Sequence, residues 1–214
     1  LAPRAQVYPF PAHLEAAEAA MVEPVACCLH GIDLAGIGPG QTVLVIGAGA
    51  IGQIQAQLAR LSGASHVTVS DPVERRRQLA LELGADAAFD PQAQTVAEMR
   101  EALDGGADVV IEAVGSRATT EQSIELVAAG GTVIWFGVAP PDARGAVSPF
   151  DVYRREITVR GSFVNPFTHS RALALLGSGR LQVGPLITRQ IGLDELPALL
   201  AGPPGDDVKV MVRL

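Results

Sequence analysis

The chain has 214 residues, of which 48% are apolar, and it carries a formal net charge of −7. That length allows one large domain or one domain with appendages, and the acidic balance offers no electrostatic footprint for nucleic acid or an anionic membrane surface. Its only lysine is Lys209, near the end of the chain, which excludes a Walker phosphate loop or a Schiff-base lysine anywhere else.

Cys27 and Cys28 are adjacent within an apolar run. Their spacing is wrong for a structural zinc site, so they read as buried core thiols. Neither a signal peptide nor an 18-residue apolar span is visible, and a cytoplasmic protein is expected. The sequence starts at Leu1 and opens as though part of a longer chain, so a fragment is expected.

In chain order, residues 21–36 (MVEPVACCLHGIDLAG) read as a helix. Apolar strands follow at 42–46, 66–70, 86–89, 107–112, 131–136 and 157–163, with helical patterns near 51–62, 72–83, 92–103 and 118–129. The strands are nearly continuous in apolar character, as in a parallel sheet covered on both faces. Strand–helix alternation of this kind predicts an α/β fold: a doubly wound parallel sheet of six strands, Rossmann in type. Gly63, Gly84, Gly105–Gly106 and Gly130–Gly131 fall where helices should end. The Pro- and Gly-rich connection 138–150 breaks the pattern, and it reads as a sheet-edge cover or a subunit contact. After residue 180 a short strand, a helix and a closing strand (KVMVRL) are predicted. The division expected is a lead-in segment at 1–40, a dinucleotide-binding unit at 41–180 and a C-terminal segment at 181–214.

Between the first strand and its helix stands Gly47-Ala48-Gly49-Ala50-Ile51-Gly52. A lone G-x-G-x-x-G also occurs as an ordinary strand-to-helix turn. Here it follows a strand, opens a helix and sits in a βαβ unit, the context in which its glycines let backbone approach a pyrophosphate. Asp71, 19 residues beyond Gly52, ends the second strand, where a carboxylate can accept both adenosine ribose hydroxyls and so favour NAD. It also reads as an N-cap, with Pro72 at N1 and Glu74 closing a capping box, and one carboxylate can serve both purposes. Arg75-Arg76-Arg77 complicates the cofactor choice, because it could neutralise a 2′-phosphate.

The run from Met21 to Asp86, with Glu23-Pro24, the glycine motif, Asp71 and LGAD at 83–86, resembles the cofactor half of medium-chain, zinc-dependent alcohol and polyol dehydrogenases. The sorbitol/threonine dehydrogenase branch is the most similar. IEAVG (111–115), GGTVIWFG (130–137) and REITVRGSF (155–163) follow in family order. The resemblance implies that Gly47, Gly49, Ala50, Ile51 and Gly52 cradle the pyrophosphate. It implies that Asp71 holds the ribose and Arg76 flanks the adenine. Val114, Phe136, Gly137 and Val138 would line the nicotinamide side, and Phe163 and Val164 would close over the cofactor. Val164 departs from the basic residue common there, which puts the substrate in doubt.

Glu23 would neighbour the catalytic zinc, although it also reads as a helix-start carboxylate before an N1 proline. The family's other zinc ligands lie in an N-terminal catalytic lobe with no counterpart in this sequence. His13, His30, His66 and His169 show no ligand spacing. The expectation is therefore the NAD-binding part of an oxidoreductase that passes hydride from an alcohol or polyol to NAD, with zinc held in the parent by the missing lobe. Alone, this chain would bind cofactor without turnover, and it carries no catalytic residue. A homo-oligomer is expected, with the 138–150 loop as a contact.

Other readings remain open. A zinc-free NADPH quinone reductase of the same superfamily, an adenosylmethionine-dependent methyltransferase and a non-catalytic NAD-sensing module all use related glycine loops. A short-chain dehydrogenase does not fit, because Tyr8 and Tyr153 are followed four residues on by Ala12 and Ile157, not lysine.

Overall fold

The structure is a computed structural model, and it describes residues 7–203 and 205–213. Six strands, β1 (Thr42–Ile46), β2 (His66–Ser70), β3 (Ala87–Phe89), β4 (Ala107–Glu112), β5 (Val127–Trp135) and β6 (Thr158–Gly161), form one parallel sheet in the order β3-β2-β1-β4-β5-β6. This is the doubly wound Rossmann order, with its topological switch between β1 and β4.

The strands are apolar on both sides because both sides are covered. Side chains alternate across a strand. Val43 and Val45 of β1 point into one core with Val67, Val69, Val109 and Ile111, while Leu44 and Ile46 point into the other with Val110, Met99 and Ile124. The first core is closed by α2 (Val22–Ala35), α3 (Ala50–Leu61), α4 (Glu74–Glu82) and α8 (His169–Gly177). The second is closed by α5 (Val96–Ala102), α6 (Arg117–Leu126) and α7 (Pro149–Arg155). A short helix, α1 (Ala16–Ala19), precedes them. The end of the chain forms a separate parallel pair, β7 (Ile187–Gly192) with β8 (Lys209–Arg213), joined through α9 (Leu196–Ala201). Among the described residues no helix is long and apolar enough to cross a membrane.

Several boundaries differ from the sequence expectation for local reasons. The α5 helix begins at Val96, not 92, because Thr95 and Glu98 make a reciprocal capping box there. Strand β5 begins at Val127 instead of 131. Val127 pairs with Ala107, the register then shifts, and Gly130 takes φ +74° in the irregularity. The predicted break at 138–150 resolves into a loop and α7, whose start is set by Ser148 as N-cap with Pro149 at N1.

The segment after 180 does not leave the domain at once. Leu181, Val183 and Leu186 are buried in the first core. Gln57 of α3 holds the main chain of Gln182 with two hydrogen bonds, donating at 3.0 Å and accepting at 2.8 Å. Residues 21–36 likewise form α2 as predicted, and α2 packs on α3 and α8 as part of the same core.

Candidate dinucleotide site

At the carboxyl end of β1 the chain turns sharply into α3. Gly47 has φ +96°, a conformation glycine adopts freely. A Cβ at Gly52 would lie 1.7 Å from the Gly47 carbonyl oxygen, so helix and strand approach more closely than any side chain permits. A Cβ at Gly49 would instead meet nothing within 4 Å and would project into free space. The first intrahelical N–H of α3 belongs to Gln53, which donates to Gly49. The N–H groups of Ala50, Ile51 and Gly52 are thus the free donors of a helix N-terminus, where the helix dipole favours an anion.

Asp71 sits just beyond β2 with 4% exposure. One carboxylate oxygen accepts the Ala48 N–H and the other the Val73 N–H, each at 2.8 Å. The sequence-level capping box is therefore not formed. α4 starts at Glu74 with Val73 at the N-cap position and no side-chain cap, because the Asp71 carboxylate is committed to the glycine loop and a local turn. Gln53 reinforces the join, its amide donating to the carbonyls of both Ala48 and Arg76. The Arg76 guanidinium stands 4.0 Å from Asp71 and also donates to the Asp207 carbonyl at 3.2 Å. Arg77 pairs with Asp90.

A cleft of about 490 Å³ lies over the switch point. Of the residues expected at the site, Gly47, Gly49, Asp71, Arg76 and Val114 line it together. Ser70 also lines it, and its buried hydroxyl has no hydrogen-bond partner. The open face at Gly49, the free α3 donors and this orphaned hydroxyl fit a dinucleotide laid across the switch point.

The other expected residues do not border that cleft. Phe136 packs its ring on α2, with a Cβ at Gly31 only 3.0 Å from it. Gly137 is wedged against the Gly115 main chain, while Val138, Phe163 and Val164 are exposed. Val164 and Phe167 have φ +54° and +59°, unusual for non-glycine residues.

Glu23 lies in the first turn of α2, whose N-cap position is held by Met21, so Pro24 is the third helical residue and not the first. Its carboxylate accepts from the Asn165 amide at 2.9 Å and the Cys27 thiol at 3.3 Å. Cys28 is buried as expected, but Cys27 is only partly so. Burial, and next the hydrogen bond to Glu23, push the Cys27 thiol up to about 11. His66 lies 3.8 Å from Asp86, His13 meets the Gly177 carbonyl, and His169 stacks on Tyr8. Among the described residues no group of three or more His, Cys, Asp or Glu side chains could hold a metal ion.

Sequence reasoning gave no role to Glu112, the buried acid at the end of β4. The signal was present: a charged residue closing a strand that is otherwise apolar. Asn165, the partner of Glu23, carried no such signal.

Fold and cleft together define a dinucleotide-binding α/β domain. Residues 50–176 match the family model described as zinc-binding dehydrogenase, and the chain belongs to that family. It is 34% identical to D-altritol 5-dehydrogenase of Agrobacterium fabrum over 91% of this chain and 58% of that protein. It is 33% identical to D-arabinitol dehydrogenase 1 of Uromyces fabae over 89% of this chain and 56% of that one. A solved structure of a Sinorhizobium meliloti 1021 protein bound to NADP superimposes with a TM-score of 0.95 and 43% identity, covering 99% of this chain and 64% of that one. The chain thus spans little more than half the length of these curated relatives.

Proposed function

We propose that this chain is the cofactor-binding part of a dehydrogenase that oxidises an alcohol or polyol, and that it takes NAD. The observation that supports this best is Asp71, whose carboxylate lines the cleft beside Gly47 and Gly49 while bracing the loop that would hold the pyrophosphate. In this reading the α3 N-terminus binds the pyrophosphate and Asp71 accepts the ribose hydroxyls. A 2′-phosphate at ~4 Å from Asp71 would meet a repulsion of roughly 1–4 kcal/mol. When bound, the dinucleotide supplies the hydride acceptor, and this chain's contribution is to orient it. We further propose residues 41–180 as the unit that carries the cofactor.

Among the described residues no set of side chains is placed to hold zinc. Glu23 is the residue offered to a zinc held elsewhere in the whole protein. The similar D-altritol and D-arabinitol dehydrogenases support a polyol substrate, and we further propose a homo-oligomer in the cytoplasm.

A second reading is NADP. Arg76 reaches the cleft 4.0 Å from Asp71, Arg75 is exposed beside it, and the similar Sinorhizobium meliloti protein is bound to NADP. Calorimetric titration with NADH and with NADPH separates the two. Tighter NADH binding supports the ribose role of Asp71, tighter NADPH binding moves the assignment to the arginines, and binding of neither overturns both.

A further inference from the structure

Three consecutive arginines open α4, and the structure sends each to a different place. Arg75 is exposed and does not line the cleft. Arg77 pairs with Asp90 at 3.0 Å and donates to the Asp71 carbonyl at 2.7 Å. Arg76 alone of the three borders the cleft, beside the Asp71 carboxylate. Its guanidinium is therefore the cation nearest to whatever stands at the 2′ position of a ribose held by Asp71. An arginine free to close on a 2′-phosphate favours the phosphorylated cofactor, because guanidinium and phosphate make strong, charge-assisted pairs.

Arg76 is not free. One terminal nitrogen of its guanidinium donates to the main-chain carbonyls of Asp207 at 3.2 Å and Gly205 at 3.5 Å, across 131 and 129 residues of sequence. The other stands 4.0 Å from the Asp71 carboxylate, beyond hydrogen-bond reach. A side chain holds those carbonyls in turn. The Asp207 carboxylate accepts from the Thr188 hydroxyl at 3.0 Å, and the same hydroxyl accepts the Val208 N–H at 3.0 Å. Arg189 stands 4.0 Å from the second carboxylate oxygen of Asp207. Residues 205–208 are thus pinned to β7, and Arg76 is pinned to them.

We propose that Asp207 is a positioning residue for cofactor selection. By carrying the carbonyls of 205 and 207 to Arg76 it holds the guanidinium back from a 2′-phosphate. The Asp71 charge is then left to accept the ribose hydroxyls and to repel the phosphorylated cofactor. Released from the carbonyls, Arg76 gains the freedom to pair with a 2′-phosphate and to offset that repulsion. The proposal rests on the NAD reading above. Asp207 does not line the cleft; it acts through Arg76.

The test reads the ratio of two affinities, which a merely structural role would not move. NADH and NADPH are titrated by calorimetry into wild type, Asp207→Ala and Thr188→Val, with circular dichroism melts to monitor the fold. Either change removes one side of the pin between Asp207 and β7. Each should strengthen NADPH about fivefold, on the scale of one net hydrogen bond, while NADH stays within about twofold. A cycle with Arg76→Ala then isolates the coupling: once Arg76 is alanine, Asp207→Ala should leave the ratio where it was. With a wild type that prefers NADH, a ratio unchanged in either folded variant, or a gain that survives the loss of Arg76, overturns the positioning role and leaves the NAD reading standing. If one variant does not fold, the other decides by the same criterion. A wild type that prefers NADPH defeats the NAD reading and this proposal with it, and one that binds neither defeats the dinucleotide reading as well.

Discussion

The Ala48 N–H donates to the Asp71 carboxylate at 2.8 Å across 23 residues of sequence, so the acid proposed to hold a ribose also holds the glycine loop in place. Asp71→Asn keeps the shape and one good acceptor. It should cost about 1–2 kcal/mol in denaturant unfolding, because one of two buried N–H groups loses a charged partner. The preference for NADH over NADPH should shrink at the same time. An unchanged preference would remove the ribose role and leave Asp71 a brace for the loop.

Gly49 and Gly52 should respond in opposite ways to alanine. Gly49→Ala places a methyl in open space, so stability should stay within about 0.5 kcal/mol. Dinucleotide affinity should fall tenfold or more, on the order of one lost phosphate contact. Gly52→Ala drives a methyl into the Gly47 carbonyl and should destabilise by several kcal/mol, roughly the scale of overpacking or worse. Thermal melts with parallel titrations read both effects. Equal binding by the Gly49 variant would mean that the pyrophosphate lies elsewhere.

The Gln57 amide is the tie between α3 and the segment after residue 180. Gln57→Leu leaves both main-chain groups of Gln182 without their partner and should cost about 2 kcal/mol. Limited proteolysis should then cut near 180–186 well before the rest of the chain. A cleavage pattern identical to wild type would show that buried Leu181, Val183 and Leu186 hold the segment unaided.

Acid should expose a third tie. Burial of Asp86 acts to raise its carboxyl, but the Val67 N–H, the Arg60 guanidinium and the nearby His66 outweigh it and hold the group below its usual range. A carboxyl lowered in the folded state contributes stability above its unfolded value, and that contribution is lost as pH falls through the folded value. The stability gap between wild type and Asp86→Asn should therefore be full at neutral pH and close below about pH 4. A gap that does not change with pH would mean that the pair contributes through shape alone.

Much of the fold was legible because its signals are local. The apolar continuity of TVLVI and ADVVIE announced strands buried on both faces, and GAGAIG announced the turn between β1 and α3. The capping box predicted at Asp71 failed because the sequence cannot show a competing donor 23 residues away. The early start of β5 was hidden because VAAGG has no strand pattern of its own and is strand only by pairing with Ala107. The cleft side of the site was half legible for the same reason. Gly47 and Asp71 stand in a motif, whereas Arg76 is tied to Asp207 across 131 residues, which no local pattern announces.

Helix α2 is joined to α8 by contacts that span nearly the whole chain. The Thr168 hydroxyl donates to the Ala26 carbonyl at 2.7 Å over 142 residues, and Arg171 pairs with Asp33 over 138. On the ribosome α3, which covers part of α2, follows soon after it, but the side of α2 that meets α8 emerges that much earlier than its partner. At elongation rates of about 5–20 residues per second the delay is roughly ten seconds, long for that side of the helix to wait for its cover. Helix α2 is thus among the last to be completed, and a nascent chain stalled before residue 168 should be a preferred client of chaperones that bind exposed apolar surface.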